Sequence, residues 1–269
     1  MIDDPQARKA TLAAVFDRSA RSYSEIVYFP KFGRRLVELA QLGNGAQVLD
    51  VACGRGAVLF PAAERVGPSG QVTGIDISAG MVRETAAEID RRHLTQARAL
   101  PMDAESLTFP DASFDVVTCA FALFFFPRLD RALAEFRRVL KPGGRIAVST
   151  WGEDDPRWDW YDDLGKAYDA VISLRTHALD RADDLRAAVH AAGFSRIQMI
   201  TEAPEEIYPN EDAFWAMIWS TSARAGLERL DPAALARFKA EVDAGLGAMM
   251  QPDGLHERQQ AHFALATSS

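Results

Sequence analysis

Apolar residues recur along the chain with two different periods, and the alternation between them sets out the fold. Leu12, Val15 and Phe16 fall at helical spacing within Pro5 to Arg21, and Leu36, Leu39 and Ala40 repeat the pattern within Phe32 to Leu42, which predicts two helices. Ala46 to Val51 is a short apolar run that enters Ala52-Cys53-Gly54-Arg55-Gly56 and is followed by a helical stretch, Ala57 to Val66. The unit then returns: Gln71 to Asp76 with a helix capped by Ser78 and running to about Arg92, Gln96 to Leu100 with the turn-rich Met102 to Ser113, and Asp115 to Cys119. Leu129 to Leu140 is the next helix, stopped by Lys141-Pro142-Gly143-Gly144 before a strand from Arg145 to Thr150. Such alternation predicts a parallel sheet covered by helices.

Beyond Thr150 the texture changes, and all five tryptophans lie there. Asp183 to Ala192 reads as a helix ended by Gly193, and Arg196 to Glu202 as a sixth strand. Two amphipathic stretches, Glu211 to Leu227 and Pro232 to Met250, precede a seventh strand at Gln259 to Thr267. Three segments result: 1–45 as an N-terminal helical lid, 46–152 as a ligand-binding core, and 153–269 completing the sheet with inserted lid helices. Neither lid stretch is expected to build a core of its own.

Composition narrows the function. With 269 residues, 48% hydrophobic and 25% charged, the chain can bury a large core and is neither disordered nor a coiled coil. A net charge of −8 with basic and acidic residues interspersed disfavours nucleic acid as a partner. No run of about 18 apolar residues could span a bilayer, and MIDDPQARKA lacks the apolar stretch of a signal peptide, so a cytoplasmic protein without membrane insertion is expected. Cys53 and Cys119 cannot make a disulfide framework or a zinc site, and no metal is expected. A homo-oligomer is left open.

In an open α/β sheet ligands bind beyond the carboxyl ends of the strands, which directs attention to Asp50-Val51-Ala52-Cys53-Gly54-Arg55-Gly56. Glycine at 54 and 56 lets backbone amides approach a ligand, although a glycine turn alone also serves as a tight strand-to-helix connection. The dinucleotide pattern G-x-G-x-x-G fails at Leu59, against a nicotinamide-dependent oxidoreductase. Val48-Leu49-Asp50-Val51-Ala52-Cys53-Gly54-Arg55-Gly56 instead resembles the first motif of class I S-adenosylmethionine (SAM) dependent methyltransferases, with Ala52 at the first glycine. An alanine there is expected to keep φ below zero. Phe109-Pro110-Asp111-Ala112-Ser113-Phe114-Asp115 and Leu140-Lys141-Pro142-Gly143-Gly144 resemble the subgroup that includes ubiquinone and menaquinone methyltransferases.

The resemblance implies an α/β, Rossmann-like seven-stranded mixed sheet of order 3-2-1-4-5-7-6. It also implies SAM as methyl donor, leaving S-adenosylhomocysteine. Asp50, Ala52, Gly54 and Gly56 would meet its methionine end, Asp76 its ribose hydroxyls, Ile77 and Met81 the adenine faces, and Asp103, in Met102-Asp103-Ala104, the adenine amino group. Tyr23 would belong to a lid, and Phe121 would lie beside the methyl group. Cys119-Ala120-Phe121-Ala122 is unlike the Asn/Asp-Pro-Pro-aromatic segment of enzymes that methylate base nitrogens or glutamine amides.

The aromatics Phe125, Phe126, Trp151, Phe214, Trp215 and Trp219 suggest a pocket for a small hydrophobic acceptor, aromatic, quinone-like or isoprenoid, methylated on carbon or oxygen. Should a base be needed, His177, His256 and His262 are the candidates, and no motif singles one out. Glu153-Asp154-Asp155 reads as an exposed turn. A non-catalytic SAM-binding regulator would carry the same cofactor motifs.

Overall fold

The computed structural model describes residues 4–26, 28–171, 174 and 179–268. Two helices lead, α1 (Pro5–Ser19) and α2 (Tyr28–Ala40), followed by β1 (Gln47–Val51), α3 (Leu59–Val66), β2 (Gln71–Asp76), α4 (Ala79–Arg91), β3 (Ala97–Pro101), β4 (Phe114–Ala120), α5 (Leu129–Val139) and β5 (Leu140–Trp151). The second half contains α6 (Asp159–Ala167), α7 (Ala182–Ala191), β6 (Phe194–Glu202), β7 (Glu205–Tyr208), α8 (Glu211–Ser220), α9 (Arg224–Leu227), α10 (Pro232–Met249), β8 (Leu255–Arg258) and β9 (Ala261–Ser268). Among these, no helix is long and apolar enough to cross a membrane.

Seven strands form one sheet in the order β3-β2-β1-β4-β5-β9-β6, the expected arrangement with β9 as the seventh strand. β1 to β5 are parallel, and β9 runs antiparallel to both neighbours. The near-continuous apolar character of β1 and β4 follows from helices on both faces. Ser78 caps α4 by accepting from the Met81 amide at 3.0 Å. Lys141-Pro142-Gly143-Gly144 ends α5 as expected, but its residues form an irregularity within β5, where the register against β4 jumps between Leu140 and Arg145.

Three expectations for the second half are corrected. Glu211 to Leu227 is two helices, because Thr221 turns extended and its hydroxyl bonds back to the Ile218 carbonyl at 3.0 Å. β7 and β8 form a separate two-stranded sheet that the reading of the sequence lacked. The insertion also has its own core, in which Trp158, Tyr208, Phe214, Trp215, Phe238 and Leu246 are buried together. These residues come from segments up to about ninety positions apart, so no single stretch displayed the cluster.

The N-terminal segment bridges both units. Asp17 Oδ1 accepts from Ser78 Oγ at 2.6 Å and from the Gly80 amide at 2.7 Å, docking α1 on the start of α4. Arg18 pairs with Glu228 at 2.7 Å, and Ser220 Oγ donates to Ser22 Oγ at 3.0 Å. α2 packs so closely on the glycine turn that a Cβ at Gly33 would stand 2.1 Å from the Ala57 carbonyl oxygen. Helix propensity favours Gly33→Ala by about 1 kcal/mol, whereas forcing apart two backbones costs about 1–3 kcal/mol. The variant should therefore unfold at lower urea concentration than wild type; a higher midpoint would show that α2 does not seat on this turn.

Candidate active site

The carboxyl ends of β1, β2, β3 and β4 open into three adjoining chambers, and Tyr23 and Phe121 line all of them. The first is bounded by Ala52, Gly54, Asp76, Ile77, Met81, Asp103 and Ala104. The second, on the glycine turn, adds Asp50 and Gly56. All eleven residues that the sequence assigned to the cofactor thus come together in these two spaces.

The turn holds an unusual backbone. Gly54 and Gly56 have φ of 49° and 82°, and Ala52 has φ of 54°, overturning the expectation that alanine there stays below zero. A left-handed conformation with a Cβ costs about 1–2 kcal/mol. It is held by the Cys53 amide donating to the Ile75 carbonyl at 2.9 Å and by Asp76, whose Oδ2 accepts from the Gly54 amide at 2.9 Å. Asp76 Oδ1 accepts from the Ser78 amide at 2.8 Å, so one carboxylate ties the turn after β1 to the start of α4. Burial pushes its pKa up to about 6, against the opposing pull of those amides.

Asp50 is buried, and its Oδ1 accepts from Thr118 Oγ1 at 2.8 Å while Oδ2 has no hydrogen-bond partner. Desolvation raises its pKa to about 7. Such an acceptor at a glycine-lined chamber is unsatisfied until a donor enters. Asp103 accepts from the Glu105 amide at 2.9 Å and from Lys9 Nζ at 2.7 Å. Lys9 also pairs with buried Glu105, whose other oxygen accepts from the Arg128 amide at 2.8 Å. Reading of the sequence missed Lys9; the available signal was its place on the apolar face of α1, one turn before Leu12.

The third chamber is lined by Tyr28, Phe29, Phe124, Phe125 and Trp151, and by the polar residues Glu153, Asp154, Asp155, Glu257, Arg258, Gln259 and Gln260. Phe121 stacks on Trp151 at 3.9 Å between centroids, and Tyr23 on Phe29 at 5.2 Å. Of the expected acceptor residues, Phe125 and Trp151 line this space, and Phe126 faces the first chamber. Phe214 and Trp215 do not reach any of the three: both are buried in the second core, Trp215 Nε1 donating to Asp243 Oδ1 at 2.7 Å. Trp219 packs against the same core beneath the Arg224 guanidinium. Met217 and Thr221, from the end of α8, face the chamber instead.

His262 is buried in β9 between Thr201 Oγ1 at 2.8 Å and the Asp180 carbonyl at 3.0 Å, which satisfies both ring nitrogens. His256 turns outward to Asp253 at 2.9 Å. His177 lies outside the described residues. Asp155 is not an exposed turn residue: it is buried, accepts from the Arg258 amide at 2.8 Å, and the Arg157 guanidinium helps hold its pKa at about 2 against burial. Both cysteines are buried with their thiol pKa values raised by desolvation, which suits packing and not nucleophilic attack.

Comparison with known proteins places this geometry. Residues 48–144 match a family model described as a methyltransferase domain. The chain is 36% identical over 246 residues to nocamycin O-methyltransferase of Saccharothrix syringae, covering 85% of this chain and 88% of that protein. It is 35% identical over 210 residues to aklanonic acid methyltransferase DauC of Streptomyces sp. (strain C5), covering 72% and 96%. Among solved structures, the YcgJ protein of Bacillus subtilis superposes with a TM-score of 0.61 at 21% identity, over 88% of this chain and 98% of that one.

Asp50 makes stability depend on pH. Between its ordinary value of 3.8 and about 7 the folded chain holds a proton that the unfolded chain has released, so its contribution falls as pH rises through that window. Asp50→Asn keeps the shape and the bond from Thr118 but carries no charge to desolvate. In urea titrations the variant should match wild type near pH 4 and be more stable at pH 8, by about 1.4 kcal/mol for every tenfold difference in proton affinity between the folded and unfolded chain. Equal stability at both pH values would contradict a buried, unsatisfied carboxylate.

Proposed function

The chain belongs to the SAM-dependent methyltransferases and is an enzyme acting on small-molecule metabolites, and from this premise we propose that it methylates a carbon or oxygen of a hydrophobic aromatic, quinone-like or isoprenoid acceptor bound in the third chamber. The observation that carries this reading is the aromatic wall of that chamber, which meets the cofactor side across Tyr23 and Phe121. The relatives named for nocamycin and aklanonic acid support a small-molecule acceptor. Nothing favours an oxidoreductase: Leu59, where the dinucleotide pattern wants glycine, is fully buried and packs so closely on Gly74 that a Cβ there would lie 2.5 Å from its Cδ1.

The residues present suit SAM. Asp76 retains acceptor capacity for a vicinal diol, and Asp103 can accept from the adenine amino group beside Lys9, with Ile77 and Met81 on the ring faces. The unsatisfied Asp50 oxygen and the turn from Ala52 to Gly56 suit the ammonium and carboxylate of the methionine end. SAM supplies an electrophilic methyl carbon on a sulfonium, already provided with its leaving group. Tyr23 and Phe121 offer ring faces to that cation. The chain's contribution is then alignment and exclusion of water, which can account for several kcal/mol of barrier lowering.

The helical segment 1–45 and the helices inserted within 153–269 act together as the lid, joined through Arg18 to Glu228 and Ser22 to Ser220. A cytoplasmic setting and the absence of a nucleic-acid partner complete the reading.

Calorimetry and turnover test it. Asp76→Asn should weaken SAM binding about 10–100-fold, the loss of a hydrogen bond to a charged group. Labelled SAM offered with phenols, quinols and prenylated aromatics should give methylated product and S-adenosylhomocysteine. Unchanged affinity in Asp76→Asn would refute the cofactor placement. Methylation only of protein or nucleic acid would refute the acceptor class, and SAM binding without turnover would point to a regulator.

A further inference from the structure

Glu257 has no part in the assignments above, yet its carboxylate stands in the wall of the third chamber. β8 pairs with β7 so that Glu206 faces Glu257 and Ile207 faces His256. Side chains alternate across a strand, and while His256 bonds to Asp253, Glu257 on the other face of β8 lines the chamber with Tyr28, Phe121 and Trp151. Tyr208 Oη donates to Glu257 Oε2 at 2.6 Å and fixes the side chain. Arg157 is engaged with Asp155 and Glu205, and Lys31 with Glu206, while Arg258 lines the same chamber without a salt bridge to Glu257. Among the described residues no salt bridge neutralises Glu257, and of the roughly four acceptor positions of a carboxylate about two remain for a ligand beyond Tyr208 and Gln259.

We propose that Glu257 is the catalytic base toward the acceptor, and that the acceptor is therefore a phenol or enol that enters with its hydroxyl proton in place. This rests on the reading of the third chamber as the acceptor site. As the hydroxyl oxygen bonds to the methyl carbon, its O–H bond breaks toward a Glu257 oxygen, and the electron pair of the broken carbon–sulfur bond stays on sulfur. The sulfonium and carboxylate charges disappear together, leaving a methyl ether, a neutral thioether and protonated Glu257. A carboxylate acceptor arrives already ionised and needs no such base.

The groups that set its titration are Tyr28 on α2, Tyr161 on α6, Glu206 and Tyr208 on β7, Gln259, and Asp154 and Asp155 after β5. Burial, and then Asp155 and Asp154, raise the carboxyl above its ordinary value, while Tyr208 and Gln259 oppose them. Activity should fall on the acid side as Glu257 takes a proton, and Tyr208→Phe should move that limb to higher pH.

The test uses the full chain, with 1-naphthol and related fused-ring phenols offered beside the matched carboxylates such as 1-naphthoate. With SAM saturating at every pH, Glu257→Gln should lower kcat on the phenols at least 100-fold and abolish the acid limb of kcat, with Glu257→Asp recovering part of the rate and SAM affinity by calorimetry unchanged within twofold. Phenol turnover in Glu257→Gln within threefold of wild type, or an acid limb that Tyr208→Phe leaves in place, overturns the base while leaving the acceptor chamber standing. Turnover confined to carboxylates overturns it too. If no small aromatic is methylated although SAM binds, the acceptor-site reading fails and the base with it.

Discussion

One carboxylate holds the site together. Asp76 accepts the Gly54 amide with one oxygen and the Ser78 amide with the other, so the turn after β1 and the start of α4 are fixed relative to each other. The left-handed backbone from Ala52 to Gly56 depends on that anchor, as does the chamber it leaves open. Ser78 in turn meets Asp17, which brings α1 and Lys9 over the same chamber. The anchor is itself destabilised by burial, a cost that a bound diol would offset by adding hydrogen bonds to the charged form.

The sheet and the cofactor side were legible because each of their parts is contiguous in sequence. A strand, its terminal acid or glycine and the next helix fall within about thirty residues, and local periodicity and turn chemistry report on them directly. The rule that ligands gather at strand carboxyl ends directs attention to Asp50, Asp76 and Asp103, and the resemblance to SAM-dependent methyltransferases implied their roles. Ala52 was misjudged for a physical reason: its side chain prefers negative φ, but the bonds of Cys53 to Ile75 and Gly54 to Asp76 outweigh a preference of about 1–2 kcal/mol.

The third chamber resisted reading because its determinants are not local. Phe214 and Trp215 look like pocket residues on an aromatic helix, yet α10 and β8 arrive from later in the chain and bury them. Lys9 finds its partners nearly a hundred positions away. Glu257 and His256 are neighbours in sequence, and only the register of β8 against β7 decides which of them meets the chamber.

The most direct test of the cofactor geometry is wild-type SAM affinity measured by calorimetry from pH 5 to 8. If Asp76 receives the ligand as a carboxylate with a free-state pKa of about 6, binding must expel its proton at lower pH. Affinity should then weaken as pH falls from 8, where Asp50 begins to take up a proton near 7, and more steeply below 6, where Asp76 does so, by up to about tenfold per pH unit for each linked proton. An affinity that stays constant from pH 5 to 7 would mean that Asp76 does not grip the ligand and that the site is built differently.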